Sequence, residues 1–411
     1  MRTCAHVIKT LVSVWATTAL FCGCNTTSQT QPADDTVVHI NVPVRDGAHS
    51  LPLSAVADSL HYIPLETRDD ALVGQIDKLI PLKDRLIIVD KEKSRSIYLY
   101  DLQGHLLRKI QRSGRSEKEY ISLTDVSVDP ESQRIFIWDS PGRKVLIYSF
   151  DGVFIAAHHF PYSVQSIAYT GDNTLACYCG YSGNTRFLEQ AQYPNLLFWN
   201  FQSDTIRPAC YFDEVLSVSN ITGILNNFST DANGTIVLIP LNDTLYQATG
   251  TEIAPKYHIN FGEEQPRLLQ QYKDHLIKYD FPRSVDEFDQ ASPCLLLNFI
   301  TSRDLVYLFF KKRQTYYYGF YYPESGRFIE ASTVYDERTG GNRIPITNDL
   351  DGCTLPFMPI AADGMNHFYY TIDPYLLDYF KETSDTTLLR LQRQVSANDN
   401  PIVVRVSMKS E

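Results

Sequence analysis

Short apolar runs, each opened by a polar turn, punctuate most of the chain. The clearest group is Arg85-Leu-Ile-Ile-Val-Asp90, then Ser96-Ile-Tyr-Leu-Tyr-Asp101, a turn at Gln103-Gly104, and His105-Leu-Leu-Arg-Lys-Ile110. The same order returns 49 residues later as Arg134-Ile-Phe-Ile-Trp-Asp139, Lys144-Val-Leu-Ile-Tyr-Ser149, the turn Asp151-Gly152 and Val153-Phe-Ile-Ala-Ala157. Runs this short, rich in β-branched and aromatic residues and separated by Gly or Asp turns, predict strands. Two strand–strand–turn–strand units in one register predict a repeat.

Looser copies follow. Residues 173–178 pair with 195–200, and the turn at 231–234 opens strands at 235–239 and 244–246. Arg303-Asp304 opens 305–310, followed by the aromatic run Thr315-Tyr-Tyr-Tyr-Gly-Phe-Tyr-Tyr322, and Asp363-Gly364 opens 367–372. Six such starts over residues 36–411 average about 63 residues, more than the roughly 40–50 of compact propeller repeats, so inserted loops are expected. The strands are apolar on both faces, as blades packed between two neighbours require. The pattern therefore predicts an all-β, six-bladed β-propeller, against the alternative of paired β-sandwiches or an irregular β protein. Isolated strands at 36–42 and 401–406 are candidates to complete a blade from opposite ends of the chain and so remove an open edge. Helical spacing is limited to 266–280, with Leu269, Tyr272 and Leu276 on one side, and to weaker stretches at 376–382 and 386–395. These are expected as small insertions over one face of the propeller.

The N-terminus breaks the pattern. Arg2 and Lys9 precede an uncharged, apolar stretch of 14 residues, Thr10 to Gly23. That is too short for the about 20 residues of a membrane span and fits a signal peptide over residues 1–23. It ends in Phe21-Cys22-Gly23-Cys24, which resembles a bacterial lipobox. Cys24 is thus the candidate lipidated residue, partnering the bilayer through its acyl chains. Residues 24–35 form a polar tether, leaving 36–411 as the propeller domain. The expected location is the cell envelope, anchored to the outer membrane on its periplasmic face or at the cell surface.

Composition narrows the function classes. Hydrophobic residues at 44% suffice for a packed core, so wholesale disorder is excluded. The formal charge of −11 argues against nucleic acid as a partner. Beyond Cys24, Cys177, Cys179, Cys210, Cys294 and Cys353 form no paired framework and read as free thiols.

Four further stretches carry a family likeness: Leu60-His-Tyr-Ile-Pro-Leu-Glu-Thr67, Asp101-Leu-Gln-Gly104, Gly114-Arg115 with Glu119-Tyr120, and Asp399-Asn400-Pro401. In that order the chain resembles the Bacteroidetes six-bladed β-propeller lipoproteins, a family of unknown function related in form to NHL-repeat propellers. The resemblance spans most of the mature chain. In one departure, Ser116-Glu117-Lys118 stands where the family usually has Gly-Pro-Gly. The resemblance brings no catalytic residues with it.

Local motifs for chemistry are sparse. The 114–120 loop offers Arg115, Glu119 and Tyr120 as candidate ligand contacts, against a purely structural role for an interblade loop. His158-His159 on a strand point to opposite faces and cannot chelate one metal. Asp349-Leu-Asp351-Gly352 lacks the terminal Glu of a calcium loop, and Gly180-Tyr-Ser182-Gly183 lacks the spacing of a nucleophile elbow. No cofactor or metal is expected. The aromatic run is read as rings filling both packing layers of a blade. The expectation is a binding or scaffold domain, for glycan or peptide. The alternative is a propeller hydrolase or lyase, lactonase-like or acting on polysaccharide, in which Asp90, Asp139 and Glu66 meet in the central channel.

Overall fold

The strand at Arg85–Asp90 shows why these runs are apolar on both faces. Leu86 and Ile88 pack toward one neighbouring sheet, while Ile87 and Val89 pack toward the other. All four are fully buried. Each such side chain contributes roughly 1.5–3 kcal/mol on leaving water. A single sheet cannot collect that from one side alone.

The computed structural model describes residues 36–410 apart from short stretches, the longer being 219–224, 279–291, 337–340 and 380–385. Three N-terminal strands come first: β1 (Val38–Asn41), β2 (Leu51–Pro52) and β3 (Ala57–Pro64). Blade 1 is β4 (Lys78–Pro81), β5 (Arg85–Asp90), β6 (Ser96–Asp101) and β7 (Leu106–Ile110). Blade 2 is β8 (Asp125–Asp129), β9 (Arg134–Asp139), β10 (Lys144–Ser149) and β11 (Phe154–His159). Blade 3 is β12 (Ser166–Gly171), β13 (Thr174–Tyr178), β14 (Pro194–Asn200) and β15 (Thr205–Tyr211). Blade 4 is β16 (Phe228–Asp231), β17 (Gly234–Leu238), β18 (Thr244–Thr249) and β19 (Glu252–Asn260). Blade 5 is β20 (Leu295–Thr301), β21 (Val306–Lys312), β22 (Thr315–Tyr322) and β23 (Arg327–Asp336), extended by β24 (Gly341–Asn342). After β25 (Ile346–Thr347), blade 6 is β26 (Ala361–Ala362), β27 (His367–Ile372), β28 (Ile402–Met408) and, as its outermost strand, β3.

The hydrophobic core confirms a closed ring of six. It divides into six clusters, and each lies between two consecutive blades, including blade 6 against blade 1. The aromatic strand β22 serves two of them. Tyr317 and Tyr321 fill the interface with blade 4, while Tyr318, Phe320 and Tyr322 fill the one with blade 6. The expectation of rings in both packing layers holds. Cys177 and Cys179 are buried free thiols on one face, as expected.

Closure uses the C-terminal strand as expected but a different N-terminal partner. β28 pairs antiparallel with β3, with Val404 opposite Tyr62. The strand expected at 36–42 instead adds to blade 4, where β1 runs parallel to β19. Between β1 and β3 the chain straps across blade 5, where His49 bridges Ser332 and Gly47 O accepts the Ser332 hydroxyl. β2 then pairs with β25. Leu60–Thr67 thus overlaps the end of the closing strand. Its end is fixed at Gly104, whose φ of +89° turns the β6–β7 hairpin and lets Pro64 O approach the α-carbon.

Among the described residues, two helices occur near the expected places: α1 (Gln265–Lys278) and α2 (Thr386–Gln394). Of the weak helical stretch expected at 376–382, the described part belongs to a 3-10 turn over Pro374–Tyr379, and 380–382 lie outside the described residues.

Candidate functional site

Antiparallel strands ordered from inside to outside fix where each loop emerges. Connections from one blade's outer strand to the next blade's inner strand share one end of the ring with the second-to-third-strand loops. The 3-10 turn Glu214–Val218 and α1 lie in connections of the first kind. The Pro374–Tyr379 turn and α2 lie in a loop of the second kind. All four therefore sit at one end; insertions over one face are expected from the sequence, and the Glu214–Val218 turn adds to them. Gln265 anchors α1 there: its Nε2 donates to Asp243 Oδ1 at 3.1 Å and to Cys294 O at 3.1 Å, and its Oε1 accepts the Cys294 amide at 2.7 Å.

A cavity of about 600 Å³ runs along the axis, lined by residues of the innermost strands of all six blades. Its lining at the loop-rich end is charged. Lys78, Asp125 and Ser166 are the first residues of β4, β8 and β12 and pair with Val89, Trp138 and Tyr178 on the next strands. Repeat-equivalent positions occupy one level of the channel, and here two of them touch. Lys78 Nζ donates to Asp125 Oδ1 at 2.9 Å, and Lys91 Nζ reaches the same oxygen at 3.3 Å. The other oxygen, Oδ2, accepts the Ile167 amide at 2.9 Å. Asp77, in the same lining, accepts the Lys91 amide at 2.6 Å and the Gln75 side chain at 2.6 Å. The Ser166 hydroxyl is buried with no hydrogen-bond partner.

The electrostatics of the cluster are uneven. Burial lowers the Lys78 pKa and Lys91 adds to the lowering, against the pull of Asp125. Burial alone would raise Asp125, but Lys78 and then Lys91 outweigh it and hold its carboxyl below the ordinary value. Asp125 is thus a fixed anion shared by two ammoniums. At the other end Asp231 pairs with Lys256 at 2.7 Å, and Asp363 with the His367 ring at 2.7 Å.

The residues expected from sequence are placed elsewhere. In the 114–120 loop, Arg115 is exposed, Glu119 accepts the Ser116 amide at 3.0 Å, and Tyr120 is fully buried with its hydroxyl donating to Arg95 O at 2.7 Å. None of the three lines the channel. Asp90, Asp139 and Glu66 do not converge there either. Each is spent on backbone amides: Asp90 on Gly74 and Gln75, Asp139 on Ile121 and Ser122, Glu66 on Leu106. His158 packs against the Phe201 ring while His159 faces solvent, and burial lowers the His158 pKa. Asp349 and Asp351 bind Ser54 and Tyr62 rather than an ion. Among the described residues no group of three or more His, Cys, Asp or Glu is arranged to hold a metal. Cys24 and Cys353 lie outside the described residues. Sequence reasoning missed Lys78 and Asp125. The signal was available: both open innermost strands, at matching positions of the two clearest repeats.

Comparison with known proteins agrees with this architecture. A Bacteroides fragilis protein named only for an inferred export superposes with a TM-score of 0.68 at 16% identity, covering 91% of this chain and 100% of its own. A Bacteroides vulgatus member of the DUF4221 family gives a TM-score of 0.48 at 11% identity, covering 86% of this chain and 97% of its own. Among curated proteins none matches. The family described as Domain of unknown function (DUF4934) matches residues 35–407, so the chain belongs to DUF4934, a family whose shared function is unknown.

Proposed function

We propose that this is an exported, lipid-anchored binding protein whose propeller takes a ligand, glycan or peptide, at the loop-rich mouth of its central channel. The observation that carries the reading is the Lys78–Asp125–Lys91 cluster in the lining of a 600 Å³ cavity. Such a cavity is of ligand-binding size, and a few convergent polar groups on a largely apolar wall are what orient a bound molecule. The 114–120 loop serves the blade junction in this reading. Export is supported by the signal-like N-terminus and by the inferred export of the similar B. fragilis protein. No helix among the described residues is long and apolar enough to cross a membrane, and Cys24 supplies the attachment to the outer membrane in its place.

Two measurements test this. Glycan and peptide arrays probed with residues 31–411 should give a ligand whose binding is lost in Lys91→Gln; an empty result on both arrays rejects the binding reading. Metabolic labelling with a fatty acid should mark the native protein and not Cys24→Ala. A second reading, a hydrolase or lyase working in the channel, draws on Lys78. An amine whose pKa burial lowers is a candidate proton acceptor. Turnover of a polysaccharide or lactone that Lys78→Met abolishes would select it.

A further inference from the structure

The charge layout of the channel mouth narrows the ligand class. Lys78 and Lys91 both approach one oxygen of one carboxylate. Each ammonium has three donors, and its bond to Asp125 uses one. Two ammoniums held on one carboxylate oxygen leave a local surplus of donors, in a partly desolvated wall where charge-assisted bonds are strong. Asp77 balances charge nearby without using those donors, because its oxygens accept the Lys91 amide and the Gln75 side chain. On the same level of the channel the Ser166 hydroxyl lacks any partner. An unpaired buried hydroxyl is costly unless a ligand or water completes it. The cluster is therefore complementary to an anionic group with a hydroxyl beside it.

Resting on the binding reading above, we propose that the channel mouth is a site for a hydroxylated carboxylate, a sugar acid. Its carboxylate bridges Lys78 and Lys91, and its hydroxyl meets Ser166. Asp125 is the positioning residue that holds the two ammoniums in place. The cavity volume suits a small molecule or the terminal unit of a chain. Binding is reversible and involves no covalent step.

Isothermal titration calorimetry on the full chain in detergent, with glucuronate and galacturonate against glucose and galactose, tests this. A short acidic peptide is the third arm. The uronates should bind at least about tenfold more tightly than the neutral sugars, as one charge-assisted hydrogen bond provides. Lys91→Gln should weaken uronate binding about tenfold or more, and Ser166→Ala by a smaller factor. Lys83→Gln, at the opposite end of the lining, should stay within about twofold. Thermal melts of each variant separate loss of binding from loss of folding. Equal affinity for neutral and acidic sugars overturns the sugar-acid site and leaves the binding reading standing, whereas an unchanged Lys91→Gln in a folded protein overturns both. Peptide binding without uronate binding overturns the ligand class. Silence in all three arms overturns the site.

Discussion

Asp90 and Asp139 do the same work in consecutive blades. Each ends a second strand, is fully buried, and accepts two amides from the loop leading into its own blade: Gly74 at 2.8 Å and Gln75 at 3.2 Å, Ile121 at 3.0 Å and Ser122 at 3.1 Å. Each also accepts one amide from the turn that follows, Lys93 at 2.9 Å or Gly142 at 3.3 Å. The repeat is thus written in hydrogen bonds as well as in apolar spacing.

Asp139→Ala leaves three part-buried amides without their acceptor, which should cost roughly 1–3 kcal/mol of unfolding free energy. Asp139→Asn keeps an acceptor oxygen and should cost less. Urea unfolding of the two variants measures both, and equal, negligible losses would contradict the role assigned to the carboxylate.

The same pair shows what a sequence can disclose about this fold. The second and third strands of blades 1 and 2 are legible because each is buried between two sheets and so carries an apolar run, and the fourth because a Gly turn sets it off. The innermost strands are not. Lys78–Pro81, Asp125–Asp129 and Phe228–Asp231 are short and interrupt their apolar residues with polar ones because one side faces the channel. The site lies on those strands, and Lys78 meets Asp125 only because blades 1 and 2 stand side by side, 47 positions apart in sequence. The closing strand was obscured differently. Ala57–Pro64 has polar residues at Asp58, Ser59 and His61 because it is the outermost strand of its sheet, with one edge toward solvent. The stretch at 36–42, named from its sequence as a closure candidate, is instead an added fifth strand on blade 4.

The aromatic strand β22 contains one residue with no side chain, and packing explains it. Gly319 has ordinary strand geometry, but a Cβ there would overlap the tip of the Phe328 ring on β23. The glycine is required by space rather than by backbone conformation. Gly319→Ala should displace Phe328 from the interface with blade 4 and cost about 1–3 kcal/mol. Adding Phe328→Leu should recover part of that loss. A double-mutant cycle by thermal unfolding checks it, and strict additivity would show that the two positions do not share the space.

Asp243 gives the stability a pH dependence of known sign. Burial raises its pKa to about 6, against the opposing hydrogen bond from Gln265. The folded state therefore holds the proton more tightly than the unfolded chain. Below the unfolded value, near pH 4, both states are protonated and the group imposes no penalty. As pH rises through about 6 the penalty develops in full, of order 2–3 kcal/mol for a shift of this size. Asp243→Asn keeps an acceptor for Gln265 and removes the titration. It should melt higher than the parent at pH 8 and match it near pH 4. A difference that is the same at both pH values would place its origin outside this carboxyl.

Ring closure depends on Asn400 as much as on the strand that follows it. Asn400 is buried. Its Nδ2 donates to Glu66 O at 2.9 Å and Ala71 O at 3.0 Å, its Oδ1 accepts the Val73 amide at 2.8 Å, and its own amide donates to Thr67 Oγ1 at 2.9 Å. One C-terminal side chain thereby shapes the 66–73 loop that joins β3 in blade 6 to β4 in blade 1. Only an amide carries both donor and acceptor in that geometry. Asn400→Ala should cost roughly 2–4 kcal/mol by leaving those groups unpaired. Asn400→Asp should cost more than Asn400→Ala, because it turns a carboxylate oxygen toward two carbonyls in a buried site. Both variants should also expose the 66–73 loop to protease before the rest of the ring unfolds. If Asn400→Asp proves milder than Asn400→Ala, the loop is held by something other than this amide, and closure rests on the β3–β28 ladder alone.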